Sequence, residues 1–196
     1  MSTINYPKPV LGIAAFSGTG KTQLIVQLIP LLKQCGLRVA VIKHAHHQID
    51  IDKPGKDSYK MRQSGAAAVL LASDKRIALM IEKPEPGATE INELLALIKP
   101  ELVDLVLVEG YKNLPHDKLF LFRHAIKDRH QQLDDDVCHI MNQASTLAIV
   151  SDLDTDSLAA CLKTDKTVLD INNINAVKDF ILHYCNTTTV NEINND

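Results

Sequence analysis

The fold is decided by the stretch Val10-Leu-Gly-Ile-Ala-Ala-Phe-Ser-Gly-Thr-Gly-Lys-Thr22. It begins as an apolar run, 10–16, of the kind that forms a buried strand, and it passes into a loop of small residues, 17–20. Lys21 and Thr22 follow, and after them apolar residues recur at helical spacing. This order of strand, glycine loop, Lys-Thr pair and helix is typical of a phosphate-binding loop (P-loop).

Each position of the loop has a predicted role. Lys21 is expected to reach the β- and γ-phosphates of a nucleotide, and the Thr22 hydroxyl to ligate Mg²⁺. The loop pattern usually starts with glycine where this chain has Ala15, which is the smallest change available; the alternative is a plain glycine turn between a strand and a helix. The backbone N–H groups of the loop would point inward and donate to phosphate oxygens. These groups belong to Ser17, Gly18, Thr19 and Gly20.

Composition narrows the class of protein. The chain has 196 residues, 45% of them hydrophobic, so it can bury a real core as one domain, 1–185, followed by a polar tail, 186–196, that we expect to be flexible. A net charge of −3 gives no reason to expect nucleic-acid binding. Four cysteines without C-x-x-C spacing read as reduced thiols, and no apolar run approaches the ~18 residues of a membrane span. We expect a soluble cytoplasmic protein.

The order of the predicted elements favours an α/β fold. The helix after Thr22, in which Pro30 predicts a kink or a break, is followed by Gly36 as a C-cap and by the strand 38–43. A strand, a helix and a strand at this length form a βαβ unit with parallel strands. Two further strands, 66–72 and 76–81, are joined by a short turn and are expected to pair as an antiparallel extension, and a closing helix is predicted over 174–184. The predicted fold is a three-layer, P-loop NTPase-like α/β fold with a mostly parallel central sheet.

A histidine-rich segment, 44–55, follows the strand that ends at Lys43. Its three histidines and two aspartates could bind a transition metal or contact phosphates, because strand C-termini line the ligand crevice of open α/β sheets. A polar, solvated loop is the alternative, and the lack of cysteine ligands argues against a dedicated zinc site. The next helix begins near Asp57.

A second informative stretch is Asp104-Leu-Val-Leu-Val-Glu-Gly-Tyr111. Its apolar centre, 105–108, is continuous, as in a parallel strand that is buried on both faces. Glu109 stands at the end of this strand, where nucleotide-binding sheets place a carboxylate that holds Mg²⁺ directly or through water.

Later in the chain, the strands 118–123 and 146–150 end in charged residues. Arg123 could reach phosphates, as could the basic residues of the charged run 127–136, which is predicted to be a solvated loop. Asp152 and Asp154 could accept hydrogen bonds from a guanine base; the alternative for Asp154 is a helix cap.

Three segments together resemble the MobB family of molybdopterin-guanine dinucleotide biosynthesis adaptors. They are Phe16-Ser-Gly-Thr-Gly-Lys-Thr22, Lys43-His-Ala-His-His47 continuing to Asp52-Lys-Pro-Gly-Lys-Asp-Ser58, and Asp104-Leu-Val-Leu-Val-Glu-Gly-Tyr-Lys112. The first is generic to P-loop proteins, whereas the second is far more specific. The similarity covers roughly residues 9–170.

The resemblance implies GTP and Mg²⁺ as ligands, weak GTP hydrolysis, a homodimer, and a MobA-type guanylyltransferase as the partner that performs the transfer. Lys43 and His44 match the second motif of the family, which implies that they contact the nucleotide. Asp152 is a candidate for contact with the base because of its position at a strand end. Lys21 is a predicted catalytic residue, and so is Asp57, because it follows a Pro-Gly loop where a switch facing the γ-phosphate would lie.

A second class of function stays open at this point. An ATP-dependent small-molecule kinase, or a synthetase similar to dethiobiotin synthetase, also has a P-loop and a strand ending in Val-Glu-Gly. Such an enzyme needs an acceptor pocket and a group that steers the nucleophile, which the segment 44–52 could supply.

Overall fold

The fold is built around β1 (Val10–Ala14), whose five residues are all buried. It lies at the centre of a six-stranded sheet with the order β2-β5-β1-β6-β7-β8, in which every strand pair is parallel. The other strands of this sheet are β2 (Val39–Lys43), β5 (Leu105–Glu109), β6 (Lys118–Phe122), β7 (Thr146–Ser151) and β8 (Val168–Asp170). This sheet confirms the predicted mostly parallel α/β architecture.

The computed structural model describes residues 4–44, 52–83, 87, 89–123, 134–154, 156, 158 and 166–193. Two compact units make up the chain: the larger contains Met1–His44 and Ile91–Asp196, and the smaller contains Ala45–Glu90. That both units form one domain, as the sequence predicts, stays a prediction. Among the described residues, no helix has the length and apolar character that crossing a membrane requires.

Helices cover both faces of the sheet in the larger unit. On one face, α1 (Lys21–Gln34) and α5 (Ile174–Ile193) pack their apolar residues against β1, β5, β6 and β7. On the other face, α3 (Ile91–Leu95) packs against β2 and β5, and α4 (Asp134–Met141) packs against β6 and β7. A short 3₁₀ helix, Pro100–Leu102, precedes β5. The three layers that the sequence predicts are therefore present.

Two predicted helix boundaries differ from the structure. α1 is not broken at Pro30 but runs through it to Gln34. Pro30 lies on the exposed side of the helix, where water can satisfy the carbonyl group that it leaves without a partner, while Leu24, Leu28 and Leu32 stay buried against the sheet. α5 extends to Ile193, beyond the helix end at residue 184 that the sequence predicts, while the domain end at residue 185 stays a prediction.

The charged run predicted as a loop over 127–136 is partly helical, because α4 begins at Asp134; residues 124–133 lie outside the described part of the chain. The negative charge of Asp136 suits the first turn of a helix, because the N-terminal end of a helix dipole attracts negative charge. After it, Val137, Ile140 and Met141 are buried at helical spacing.

The connection from β5 to β6 crosses β1 by a loop, 110–117, instead of a helix. His116 from this loop is 5% exposed and lies so close to Gly12 that a Cβ atom there would be 2.4 Å from His116 Nε2. Lys118, fully buried at the start of β6, donates to the backbone oxygens of Lys112 and Leu114 and to the side chain of Gln143. These contacts hold the crossing loop directly on the sheet.

The smaller unit contains α2 (Asp57–Gln63) and the antiparallel pair β3 (Ala68–Ala72) and β4 (Ile77–Ile81). The pair confirms the predicted antiparallel extension. Several large apolar side chains of these strands are exposed: Leu70, Leu71, Ile77, Leu79 and Ile81.

Candidate functional site

The P-loop connects the end of β1 at Ala14 with the start of α1 at Lys21. Two of its residues, Gly18 with φ +76° and Gly20 with φ +97°, adopt left-handed backbone conformations that side chains disfavour. Gly20 is also the N-cap of α1, so the positive end of the helix faces the loop. Ser17 is exposed, and Thr19 is buried, its hydroxyl donating to the carbonyl of Phe16. The glycine positions thus meet the backbone requirement of an anion-binding loop.

Lys21 lies across this loop. Its ammonium donates to the carbonyl oxygens of Ala15 at 3.2 Å and Phe16 at 2.9 Å. Burial lowers the pKa of Lys21, Glu109 raises it, and the positive charges of Lys112 and Lys43 lower it further. Because several cations face one carboxylate here, a bound polyanion would relieve their repulsion.

Thr22 and Glu109 form the candidate metal position. The Thr22 hydroxyl donates to Glu109 Oε1 at 2.9 Å, which brings together two residues that the sequence predicts as Mg²⁺ ligands. Lys43 Nζ lies 3.3 Å from the same carboxylate oxygen and donates to the Thr22 hydroxyl at 3.4 Å. Hard oxygen donors fit Mg²⁺, so these two side chains would hold the ion and position it against phosphates.

His44 packs on the end of β5. Its backbone N–H donates to the Glu109 carbonyl at 2.9 Å, and its ring lies 4.6 Å from the Tyr111 ring. A Cβ atom on Gly110, which has φ +114°, would come within 2.9 Å of the His44 Cβ. His44 therefore lies next to the candidate metal position, while its contact with a nucleotide stays a prediction.

Arg123 and Asp152 form an ion pair beside the loop, with 3.3 Å between Nε and Oδ2. Arg123 follows β6 and its guanidinium approaches Gly20, 3.8 Å from where a Cβ atom would stand there. Asp152 follows β7, two strands away from β1. The role of Asp152 in base recognition stays a prediction.

Asp57 belongs to the smaller unit, where it is the first residue of α2. Its side chain is 87% exposed and lies 3.5 Å from Lys60 Nζ. Its catalytic role stays a prediction. The histidine-rich segment lies outside the described residues from 45 to 51, and the described residues contain no group of three His, Cys, Asp or Glu side chains that could hold a metal ion.

One charged residue at the site is missed by reasoning from the sequence. This residue is Lys112, whose Nζ lies 4.0 Å from the centroid of the ring of Phe16, a residue of the P-loop. Its signal in the sequence is its position three residues after Glu109, at the same end of the same strand.

Comparison with known proteins identifies the family. The family model for MobB, molybdopterin guanine dinucleotide synthesis protein B, matches residues 10–152. The molybdopterin-guanine dinucleotide biosynthesis adapter protein of Escherichia coli K12 is 39% identical over 176 residues, covering 90% of this chain and 93% of that protein. The protein of the same name from Haemophilus influenzae Rd is 39% identical over 178 residues, covering 91% of this chain and 90% of that protein.

A solved structure agrees with this result. The crystal structure of molybdopterin-guanine biosynthesis protein B (mobB) is 26% identical, with a TM-score of 0.65, and the match covers 89% of this chain and 98% of that one. Sequence and fold match over nearly the whole length. The chain therefore belongs to the MobB family of molybdopterin-guanine dinucleotide biosynthesis adapter proteins.

Proposed function

We propose that this protein binds GTP with Mg²⁺ through its P-loop and serves as an adaptor in the biosynthesis of the molybdenum cofactor. The observation that carries the proposal is the hydrogen bond between Thr22 and Glu109, beside the cations Lys21 and Lys43. It offers oxygen donors for a metal and positive charge for phosphates in one place. The proposed pathway rests on the names of the bacterial relatives, which are molybdopterin-guanine dinucleotide biosynthesis adapter proteins.

The base of the nucleotide would be recognised at the C-terminal ends of β6 and β7. A carboxylate such as that of Asp152 can accept from two adjacent N–H groups of guanine, a pattern that adenine does not present. Arg123, paired with Asp152, would hold this carboxylate in place beside the P-loop. GTP is therefore the proposed nucleotide.

Hydrolysis by this site would be slow. Glu109 is 9% exposed and already engages Thr22 and Lys43, so it is poorly suited to activate water. In this proposal the protein holds GTP and a MobA-type guanylyltransferase performs the transfer of GMP. The setting would be the cytoplasm.

A homodimer is part of the proposal. The exposed apolar side chains of β3 and β4 lie on a two-stranded sheet, which is marginally stable alone in water. A second copy of the chain would cover them. Light scattering tests this point: a dimeric mass supports it, and a monomeric mass at working concentrations contradicts it.

Titration calorimetry of GTP against ATP in Mg²⁺, followed by a turnover assay, tests the proposed function. We expect GTP to bind more tightly than ATP, with turnover far below the range of about 1–100 s⁻¹ that is typical of kinases. ATP preference with turnover above about 1 s⁻¹ would instead indicate a phosphoryl-transfer enzyme.

A further inference from the structure

The loop after β5 places a lysine against the P-loop. Gly110 has φ +114° and Tyr111 has φ +50°, so two consecutive residues adopt left-handed backbone conformations before Lys112. Such a conformation is uncommon for a tyrosine and persists where the surroundings enforce it. The turn directs Lys112 to the Phe16 ring, with its ammonium 4.0 Å from the ring centroid.

Phe16 contacts two lysines. Its carbonyl oxygen accepts a hydrogen bond from Lys21 at 2.9 Å, and its ring makes a cation–π contact with the ammonium group of Lys112. A cation over an aromatic face is held only weakly, so the ammonium can leave the ring when an anion binds nearby. Lys112 is thus kept near the loop, and no carboxylate of the described residues forms an ion pair with it.

The charges around the loop favour an anion with several negative charges. Lys112 and Lys43 both act on Lys21, and the opposing charge among these groups is that of Glu109. Three ammonium groups against one carboxylate leave an excess of positive charge. A triphosphate supplies more negative charge than a diphosphate, so its terminal phosphate has most to gain from an additional lysine.

The neighbours of Lys112 indicate which phosphate it would meet. Lys112 follows Glu109, the acid at the end of β5, by three residues, and both side chains act electrostatically on Lys21. The loop lysine of P-loop proteins reaches the β- and γ-phosphates, so Lys112 would lie near the terminal phosphate. Arg123, beside Gly20 at the N-cap of α1, belongs nearer the nucleoside end.

We propose that Lys112 is a lysine selective for triphosphates: its ammonium rests over the Phe16 ring and contacts the terminal phosphate of a bound nucleoside triphosphate. The inference rests on the proposed nucleotide binding by the P-loop. In this proposal Lys112 makes GTP bind more tightly than GDP, whereas Arg123 contributes equally to the affinity for both nucleotides.

The test compares binding of GDP with that of the β,γ-imido analogue of GTP, in Mg²⁺, to the full chain. Lys112→Met removes the charge and keeps an apolar stem for Phe16, Lys112→Gln is a second neutral variant, and Lys112→Arg keeps the charge. Lys33→Met makes the same charge change on the exposed end of α1, and Arg123→Met tests the other side of the loop. Circular dichroism checks that each variant folds.

The neutral Lys112 variants are expected to bind the GTP analogue at least about tenfold more weakly, with GDP changing less than about threefold, because a charge-assisted contact is lost. Lys112→Arg and Lys33→Met should stay within about threefold of the unmodified chain, and Arg123→Met should weaken both nucleotides alike. Equal effects of Lys112→Met on both nucleotides, or none, would overturn the inference while nucleotide binding stands. If the unmodified chain binds neither nucleotide, the proposed function fails and the inference with it.

Discussion

The hydroxyl group of Thr22 donates a hydrogen bond to Oε1 of Glu109 over 2.9 Å, between residues 87 positions apart in the chain. The bond joins the first turn of α1 to the end of β5 across the neighbouring strands β1 and β5. It places a hydroxyl and a carboxylate together at the mouth of the P-loop. The proposed metal dependence of nucleotide binding follows from this pair.

Glu109→Gln keeps the size of the side chain and removes its charge. We expect Mg²⁺ to lose most of its effect on triphosphate affinity, at least about tenfold, because a neutral amide oxygen attracts a divalent cation less than a charged carboxylate does. Titration with Mg²⁺ and with EDTA measures this effect. Asp104→Asn is the matched control, since Asp104 precedes β5 at the opposite end and pairs with Arg38; an unchanged Mg²⁺ effect in Glu109→Gln would argue against the metal assignment.

Gly12→Ala tests the close packing of the crossing loop on β1. The new Cβ would lie 2.4 Å from His116 Nε2 and 3.0 Å from Lys118 Cβ, so we expect a loss of about 1–3 kcal/mol in the free energy of unfolding. Urea denaturation measures it, with Gly87→Ala as a control in open space. The cost should shrink in a His116→Ala background; strictly additive losses would contradict direct contact.

Acid should destabilise the fold through His116. Burial, followed by the positive charge of Lys118, lowers the pKa of His116 to about 4. In the unfolded chain the pKa of His116 is about 6.5, so between pH 6.5 and 4 the unfolded chain binds a proton that the folded chain does not bind. The free energy of unfolding therefore falls over this range, by about 3 kcal/mol in total. Denaturation across this range should show a shallower fall for His116→Leu. The exposed His183 provides the control His183→Gln, and identical slopes for His116→Leu and the unmodified chain would contradict the effect.

Features that depend on neighbouring residues could be predicted from the sequence. The P-loop is one, because the strand, the glycines and the Lys-Thr pair follow one another within 13 residues. The position of Glu109 at the end of a buried strand is another, because an apolar run followed by an acid defines it locally.

Features that depend on distant segments could not be predicted. Lys118 reads as the polar first residue of a strand, yet it is fully buried, because oxygens from the loop before it and from Gln143 surround its ammonium. The ring contact between Lys112 and Phe16 likewise joins residues on two strand ends. The polarity of the charged run before Val137 predicts a loop, although Asp136 also suits the first turn of α4.

The central claim is that the P-loop holds the phosphates of a nucleotide, and the affinity of Lys21→Ala for Mg-GTP tests it most directly. We predict a loss of about 2–5 kcal/mol in binding free energy, because the change removes one member of a close charge pair. Lys33→Ala, on the exposed end of the same helix, should bind like the unmodified chain. Affinity of Lys21→Ala within about threefold of the unmodified chain would contradict the claim.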